Sequence, residues 1–100
     1  MQAKLINTDG HAIIQLQGRF DFNAHREFRE AVDSALASTA REIQVDLGGV
    51  DYLDSSALGM LLMLRDKAKG GNREVALVKC AGAVKQVLDI ANFGKLFRII

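Results

Sequence analysis

Residues 42–59 read Glu-Ile-Gln-Val-Asp-Leu-Gly-Gly-Val-Asp-Tyr-Leu-Asp-Ser-Ser-Ala-Leu-Gly. From Glu42 to Leu47 the chain alternates strictly: Ile43, Val45 and Leu47 against Glu42, Gln44 and Asp46. A period of two is that of a strand with one apolar face. A parallel strand covered on both faces reads instead as a continuous apolar run. The alternation therefore predicts a sheet with helices on one face and water on the other. Gly48-Gly49 and Asp51 read as a loop. A helix then starts near Ser55 or Ser56 and runs to about Lys69, where Gly70-Gly71-Asn72 stops it.

Upstream, residues 3–7 and 11–17 are β-prone runs separated by Thr8-Asp9-Gly10, a strong hairpin signal. Ala12, Ile14 and Leu16 share one face of the second run, and Ile13, Gln15 and Gln17 the other. Asn23 reads as the cap of a helix in which Phe28, Ala31, Val32, Ala35 and Leu36 form one face. Ser38-Thr39 ends it. Downstream, residues 74–79 read as a buried strand. A third helix runs from about Gly82 to Ala91, with Val84, Val87, Leu88 and Ala91 inward and Asn92 or Gly94 as its C-terminal turn. Leu96 to Ile100 closes as a last strand. The order predicts a small single-domain α/β fold over residues 1–100. It has a mixed sheet, an N-terminal hairpin followed by right-handed β-α-β units, and helices mainly on one face.

One hundred residues is the chain length of one domain. Apolar residues at 49% and charged residues at 25% indicate a globular chain rather than a disordered one. The single Cys80 excludes an intrachain disulfide, and two histidines with one cysteine exclude the usual four-ligand zinc site. The longest strongly apolar stretch, Ala57 to Leu64, is far short of a membrane span. The start, Met-Gln-Ala-Lys-Leu, lacks signal-peptide architecture, so a cytoplasmic protein without membrane insertion is expected. The formal net charge of +1 makes no case for nucleic acid. Residues 1–50 hold five basic and seven acidic side chains, and residues 51–100 eight and five. The basic residues of the second half are scattered (Arg65, Lys67, Lys69, Arg73, Lys79, Lys85, Lys95, Arg98), which reads as solvated helix faces rather than a groove for phosphates.

The chemistry concentrates at Asp54-Ser55-Ser56, where a loop leaving a strand's C-terminal end turns into a helix. In α/β sheets that edge is where ligands and partners are met. A serine there can serve only as a cap, its oxygen accepting a free backbone N–H. Between Arg41 and Arg65, however, there is no basic residue, and Glu42, Asp46, Asp51 and Asp54 give a local charge of −4. A phosphoryl group on either serine would add about −1.5 to −2. It would meet the positive end of the helix dipole, favourable by about 0.3–1 kcal/mol. It would also meet carboxylates, with no sequence-local arginine unless Arg19 folds nearby. The expected result is a repulsive switch at an interface. The following helix is apolar nearly all round and reads as a core helix. A second use would expose Met60 and Met63 to a partner, since Met suits adaptable interfaces.

Asp54-Ser55-Ser56-Ala57-Leu58-Gly59, after a strand and an Asp-Tyr-Leu turn, resembles the signature of the anti-sigma factor antagonist (STAS) domain, shared with sulphate-transporter tails. Gly18-Arg19-Phe20-Asp21, Val75 to Cys80 and Val84 to Phe97 support the resemblance along nearly the whole chain. It implies that an anti-sigma factor serine kinase phosphorylates Ser55 and a metal-dependent serine phosphatase reverses this. The dephosphorylated form would bind the anti-sigma partner and relieve its inhibition. Asp54 would orient the kinase reaction or the partner contact, Asp21 would lie in the loop beside Ser55, and Ser56 would be helix position N1 or a secondary cap. Ala57 departs from a frequent glycine, and Gly82 stands where a proline often begins the third helix. The resemblance also implies a final helix in many relatives that a chain ending at Ile100 lacks.

Two other classes compete. A serine hydrolase needs a base and an oxyanion hole. Neither His11 nor His25 is near the serines in sequence, although His25 could approach the edge in space, and no Gly-x-Ser-x-Gly elbow is present. Asp46, Asp51 and Asp54 could be read as a magnesium site, but an outward strand residue and a loop residue account for two of them. No cofactor fingerprint occurs. The other rival is a non-phosphorylated STAS accessory subunit, for example of a lipid-transport ATPase complex, docked permanently through residues 56–69. Cys80 reads as a buried small apolar residue at a strand end.

Overall fold

The computed structural model describes residues 1–100. Strand β1 (Gln2–Thr8) and strand β2 (His11–Phe20) form the N-terminal hairpin around Asp9-Gly10, with Gly10 at φ +77°. A 3-10 turn (Phe22–Ala24) leads into α1 (His25–Ala37). Then follow β3 (Glu42–Leu53), α2 (Ser55–Gly70), β4 (Glu74–Val78) and α3 (Gly82–Ile90), and, after a second 3-10 turn (Phe93–Lys95), β5 (Arg98–Ile99). The five strands lie in chain order, β1 antiparallel to β2 and the others parallel.

A single core fills one face of this sheet. Ile14, Leu16, Ile43, Val45, Leu47 and Leu77 from the strands meet Phe28, Val32, Leu61, Leu64, Val84 and Leu88 from all three helices. Each side chain of this size, once buried, contributes about 1.5–3 kcal/mol of transfer free energy. The expected two-layer α/β arrangement is what the chain adopts. The opposite face carries Lys4, Gln15, Gln17, Glu74 and Arg98. It is polar as the alternation predicts, but its centre is not open to water. Glu42 is 8% exposed and Asp46 5%. Long neighbours roof them. Arg98 Nη1 and Gln44 Nε2 donate to Glu42 at 2.9 and 2.8 Å, and Lys79 Nζ lies 3.5 Å from Asp46.

The main correction concerns β3, which runs through the expected loop to Leu53. Between Gln15 and Gln17 the partners on β3 advance from Asp46 to Gly49, and between Gly18 and Arg19 from Val50 to Tyr52. Each step inserts one extra residue, so β3 carries two bulges. The buried positions accordingly fall at Ile43, Val45, Leu47, Val50 and Leu53, where the spacing lengthens from two to three. Gly49 permits the first bulge: a Cβ there would lie 2.8 Å from the Leu16 carbonyl oxygen. Further differences are small. Asn23 lies inside the first 3-10 turn, whose cap is Asp21. The last strand shrinks to two residues, because Phe93 and Phe97 stack in a short turn that takes up the preceding chain.

Candidate functional site

The bulged β3 delivers Leu53 opposite Phe20, so the residues that follow, Asp54 and Asp21, leave the sheet side by side. The Asp54 amide donates to the Phe20 carbonyl at 3.4 Å and ties the two exits together. Both aspartates then do the same local work. Asp21 Oδ1 accepts from the Asn23 amide at 3.0 Å and caps the 3-10 turn before α1. Asp54, in extended conformation, accepts the Ala57 amide at 3.1 Å and caps α2. Two helical segments therefore start at one edge, each with its carboxylate cap.

This assignment corrects the expectation for the serines. Neither is the cap. Ser55 is the first helical residue and Ser56 the second, and both are exposed. With the cap function held by Asp54, the Ser55 hydroxyl is left at the surface at the positive end of a sixteen-residue helix. On the chain segments that lead to and from this edge, Asp51 is exposed, Tyr52 is 41% exposed and Phe22 68%. Arg19 does fold to this edge. Its guanidinium lies 4.2 Å from the Tyr52 ring centroid and 3.5 Å from Asp21 Oδ2. It is thus already engaged by an aromatic face and a carboxylate.

Met60 is a second correction. It is 5% exposed and packs in the core with Ala57, Leu61 and Leu64, which recur at helical spacing on the buried side of α2. Met63 is half-buried. What α2 presents outward near its start is Ser55, Ser56 and Gly59. Sequence reading passed over Phe22 and Tyr52 as site residues. The available signal was an aromatic within two residues of each capping aspartate, Phe22 after Asp21 and Tyr52 before Asp54.

His25 begins α1 at this same edge and is exposed, without a hydrogen bond tying it to either serine. His11 lies at the other end of the strands, its Nε2 3.4 Å from Glu42. Asp46, Asp51 and Asp54 do not converge: Asp46 accepts the Gly48 amide at 2.9 Å on the polar sheet face, Asp51 sits on a bulge, and Asp54 caps α2. Cys80 is half-buried rather than buried, and burial pushes its thiol above the ordinary range, with Lys85 opposing and Asp89 and Asp46 adding to the shift. No surface groove is lined by Asp54, Ser55 or Ser56. The edge is an acidic surface with exposed aromatics, Phe22 and Tyr52, of the kind suited to contact with another macromolecule.

The family model described as "Mlab, STAS domain" matches residues 5–99. A STAS-domain containing protein of Pseudomonas aeruginosa is 51% identical over 96 residues, 95% of this chain and 94% of that protein. An anti-sigma factor antagonist from Mycobacterium paratuberculosis superposes with a TM-score of 0.87 at 19% identity, over 98% of this chain and 83% of that one. The Bacillus cell fate determinant SpoIIAA, in its phosphorylated form, superposes with a TM-score of 0.72 at 18% identity, over 98% and 90%. The two superpositions establish a common fold.

Proposed function

The chain belongs to the STAS domain family, and from that premise we propose that it is a protein-binding switch set by a phosphoryl group on Ser55. The dephosphorylated edge binds an anti-sigma factor of the serine-kinase type and relieves its inhibition. The kinase transfers the γ-phosphoryl group of ATP to Ser55 Oγ, releasing ADP and a proton, and a metal-dependent serine phosphatase hydrolyses the ester. The protein is the substrate and the regulated binding surface, not an enzyme.

The observation that carries this reading is the division of labour at the start of α2. Asp54 holds the cap at 3.1 Å, so the exposed Ser55 hydroxyl can be modified without unmaking the helix. A phosphoryl group there gains the helix dipole, worth about 0.3–1 kcal/mol. It also joins an edge that carries Asp21, Asp51 and Asp54, where the one arginine, Arg19, is already held by Asp21 and the Tyr52 ring. The fold is therefore kept and the surface changed. Phe22 and Tyr52 supply the apolar contact that a partner would bury, and the new charge repels that partner. SpoIIAA, a fold relative whose phosphorylated form is known, supports the same use of this scaffold.

The test has two arms. Fragmentation mass spectrometry of protein from its native cells should find phosphate on Ser55, with Ser56 as the secondary position. In binding measurements with the cognate kinase, Ser55→Asp should lose at least about tenfold in affinity, ~1.4 kcal/mol, and Ser55→Ala should bind constitutively. Wild-type affinity in Ser55→Asp would overturn the switch.

A second reading, a non-phosphorylated accessory subunit such as that of a lipid-transport ATPase complex, draws on the half-open Leu58, Leu62 and Met63 of α2. It requires docking that is indifferent to charge at Ser55, so the same experiment separates the two.

A further inference from the structure

Four of the eight basic residues in the second half of the chain, Arg65, Lys69, Arg73 and Arg98, converge on one groove of about 320 Å³ together with Glu74 and Leu96. They come from three places: the C-terminal half of α2, the turn before β4, and the first residue of β5. Sequence position scatters them, whereas the fold gathers them. We propose that this groove binds a tetrahedral oxyanion of the phosphomonoester type.

The guanidinium groups are positioned beforehand. Arg65 Nε donates to the Leu96 carbonyl at 2.9 Å, and Arg73 Nη1 to the Ala35 carbonyl at 3.1 Å. Arg98 Nη1 donates to Glu42 at 2.9 Å. One anchoring bond each leaves most of the five donors of every guanidinium free. Anchoring to neutral carbonyls also leaves the charge of Arg65 and Arg73 largely uncompensated. Asp66, 4.0 Å from Arg65 and 78% exposed at its side chain, screens little. Glu74 is the one carboxylate in the lining.

A helix dipole accounts for part of this. Lys69 lies in the last turn of α2, where a cation complements the exposed carbonyls. That argument does not reach Arg73 or Arg98, which lie outside the helix. The number of donors and the elements they come from point to the ligand class. A carboxylate is planar and offers two oxygens, while a phosphomonoester dianion offers three terminal oxygens in a pyramid. Arginines contributed by different elements, with donors left over after anchoring, suit the latter better than the former. The groove lies at the strand ends where β4 and β5 begin, opposite the Ser55 edge. It is independent of the switch reading, and its failure would leave that reading standing.

The experiment is a ¹H–¹⁵N NMR titration of the whole chain with inorganic phosphate, compensated with chloride to constant ionic strength. A parallel cosedimentation uses phosphatidylcholine vesicles with and without phosphatidic acid. Saturable shifts confined to Arg65, Lys69, Arg73, Leu96 and Arg98 are expected. Lys69→Glu should weaken binding about tenfold, because Lys69 is exposed and free to change without disturbing the core. Lys4→Glu, which makes the same change in net charge on β1, should not. A response to inorganic phosphate places the ligand in solution. A response only to phosphatidic acid vesicles, lost in Lys69→Glu, places the phosphate on a lipid headgroup. Either result supports the groove. Diffuse, unsaturating shifts without vesicle binding, or equal losses in Lys69→Glu and Lys4→Glu, would overturn it.

Discussion

At the scale of single residues, Asp54 and Ser55 are neighbours with separable roles. Asp54 satisfies a backbone donor that water would otherwise have to meet, and Ser55 satisfies none. Removing the first is a stability experiment, and removing the second is not. Asp54→Ala should cost about 0.5–2 kcal/mol of unfolding free energy, the usual range for a lost N-cap. Ser55→Ala should stay within about 0.5 kcal/mol of wild type, as surface substitutions do. Urea denaturation of both variants checks this. Equal losses would mean that Ser55 supports the helix start as much as Asp54 does. The sequence could not distinguish these two, because Asp, Ser and Ser are all good caps and stand in a row. Only the extended backbone at Asp54 decides which side chain reaches the Ala57 amide. The same blindness applied to Met60, since a helix apolar on nearly every side does not announce which side is inward.

At the scale of elements, two glycines make opposite statements about how the site is supported. Gly49 sits in the first bulge of β3, where a Cβ would press 2.8 Å from the Leu16 carbonyl and the Gln17 side chain. Gly59 lies in α2 with nothing within 4 Å of its missing Cβ. Gly49→Ala should therefore destabilise by about 1–3 kcal/mol through overpacking. Gly59→Ala should stabilise by about 0.5–1 kcal/mol, since a helix interior disfavours glycine. Yet Gly59 is exposed and four residues after Ser55, hence on the same helical face. A helix that forgoes this stabilisation beside the proposed contact surface keeps that surface flat. Gly59→Ala should accordingly raise the melting temperature while weakening kinase binding. A variant that is more stable and binds as well as wild type would remove Gly59 from the interface. Elements of regular period were legible in the sequence: the hairpin, the three helices and the first half of β3 all follow from local pattern. The second half of β3 was not, because each bulge shifts the inward positions by one and erases the alternation that marks a strand. That hidden half is the part that places Asp54 beside Asp21.

At the scale of the whole molecule, one helix joins two surfaces of opposite charge. From Ser55 to Lys69, α2 advances about 21 Å at 1.5 Å per residue. The Ser55 end is acidic, with Asp21, Asp51 and Asp54, and the other end holds the arginine-lined groove. The Asp51 and Asp54 part of the acidic end could be read along the chain because these residues are close in sequence, whereas Asp21 joins them only through the pairing of Phe20 with Leu53. The basic groove could not, because its members are contributed by elements brought together only when β5 pairs with β4 and α2 packs against the sheet. Charges this far apart on a solvated surface are separated by more than twice the ~8 Å screening length of physiological salt. No movable element links them: α2 is a continuous helix with Ala57, Met60, Leu61, Leu64 and Ala68 fixed in the core. Coupling between the ends then needs a route that the packing does not offer. Ser55→Asp should leave the phosphate affinity of the groove unchanged, and Lys69→Glu should leave kinase binding unchanged. The stability change of the double variant should equal the sum of the single changes within about 0.3–0.5 kcal/mol. Calorimetric titration and denaturation of the three variants measure all of this. A shift in phosphate affinity on Ser55→Asp would show that α2 transmits between its ends, and that the two surfaces form one regulated system rather than two independent sites.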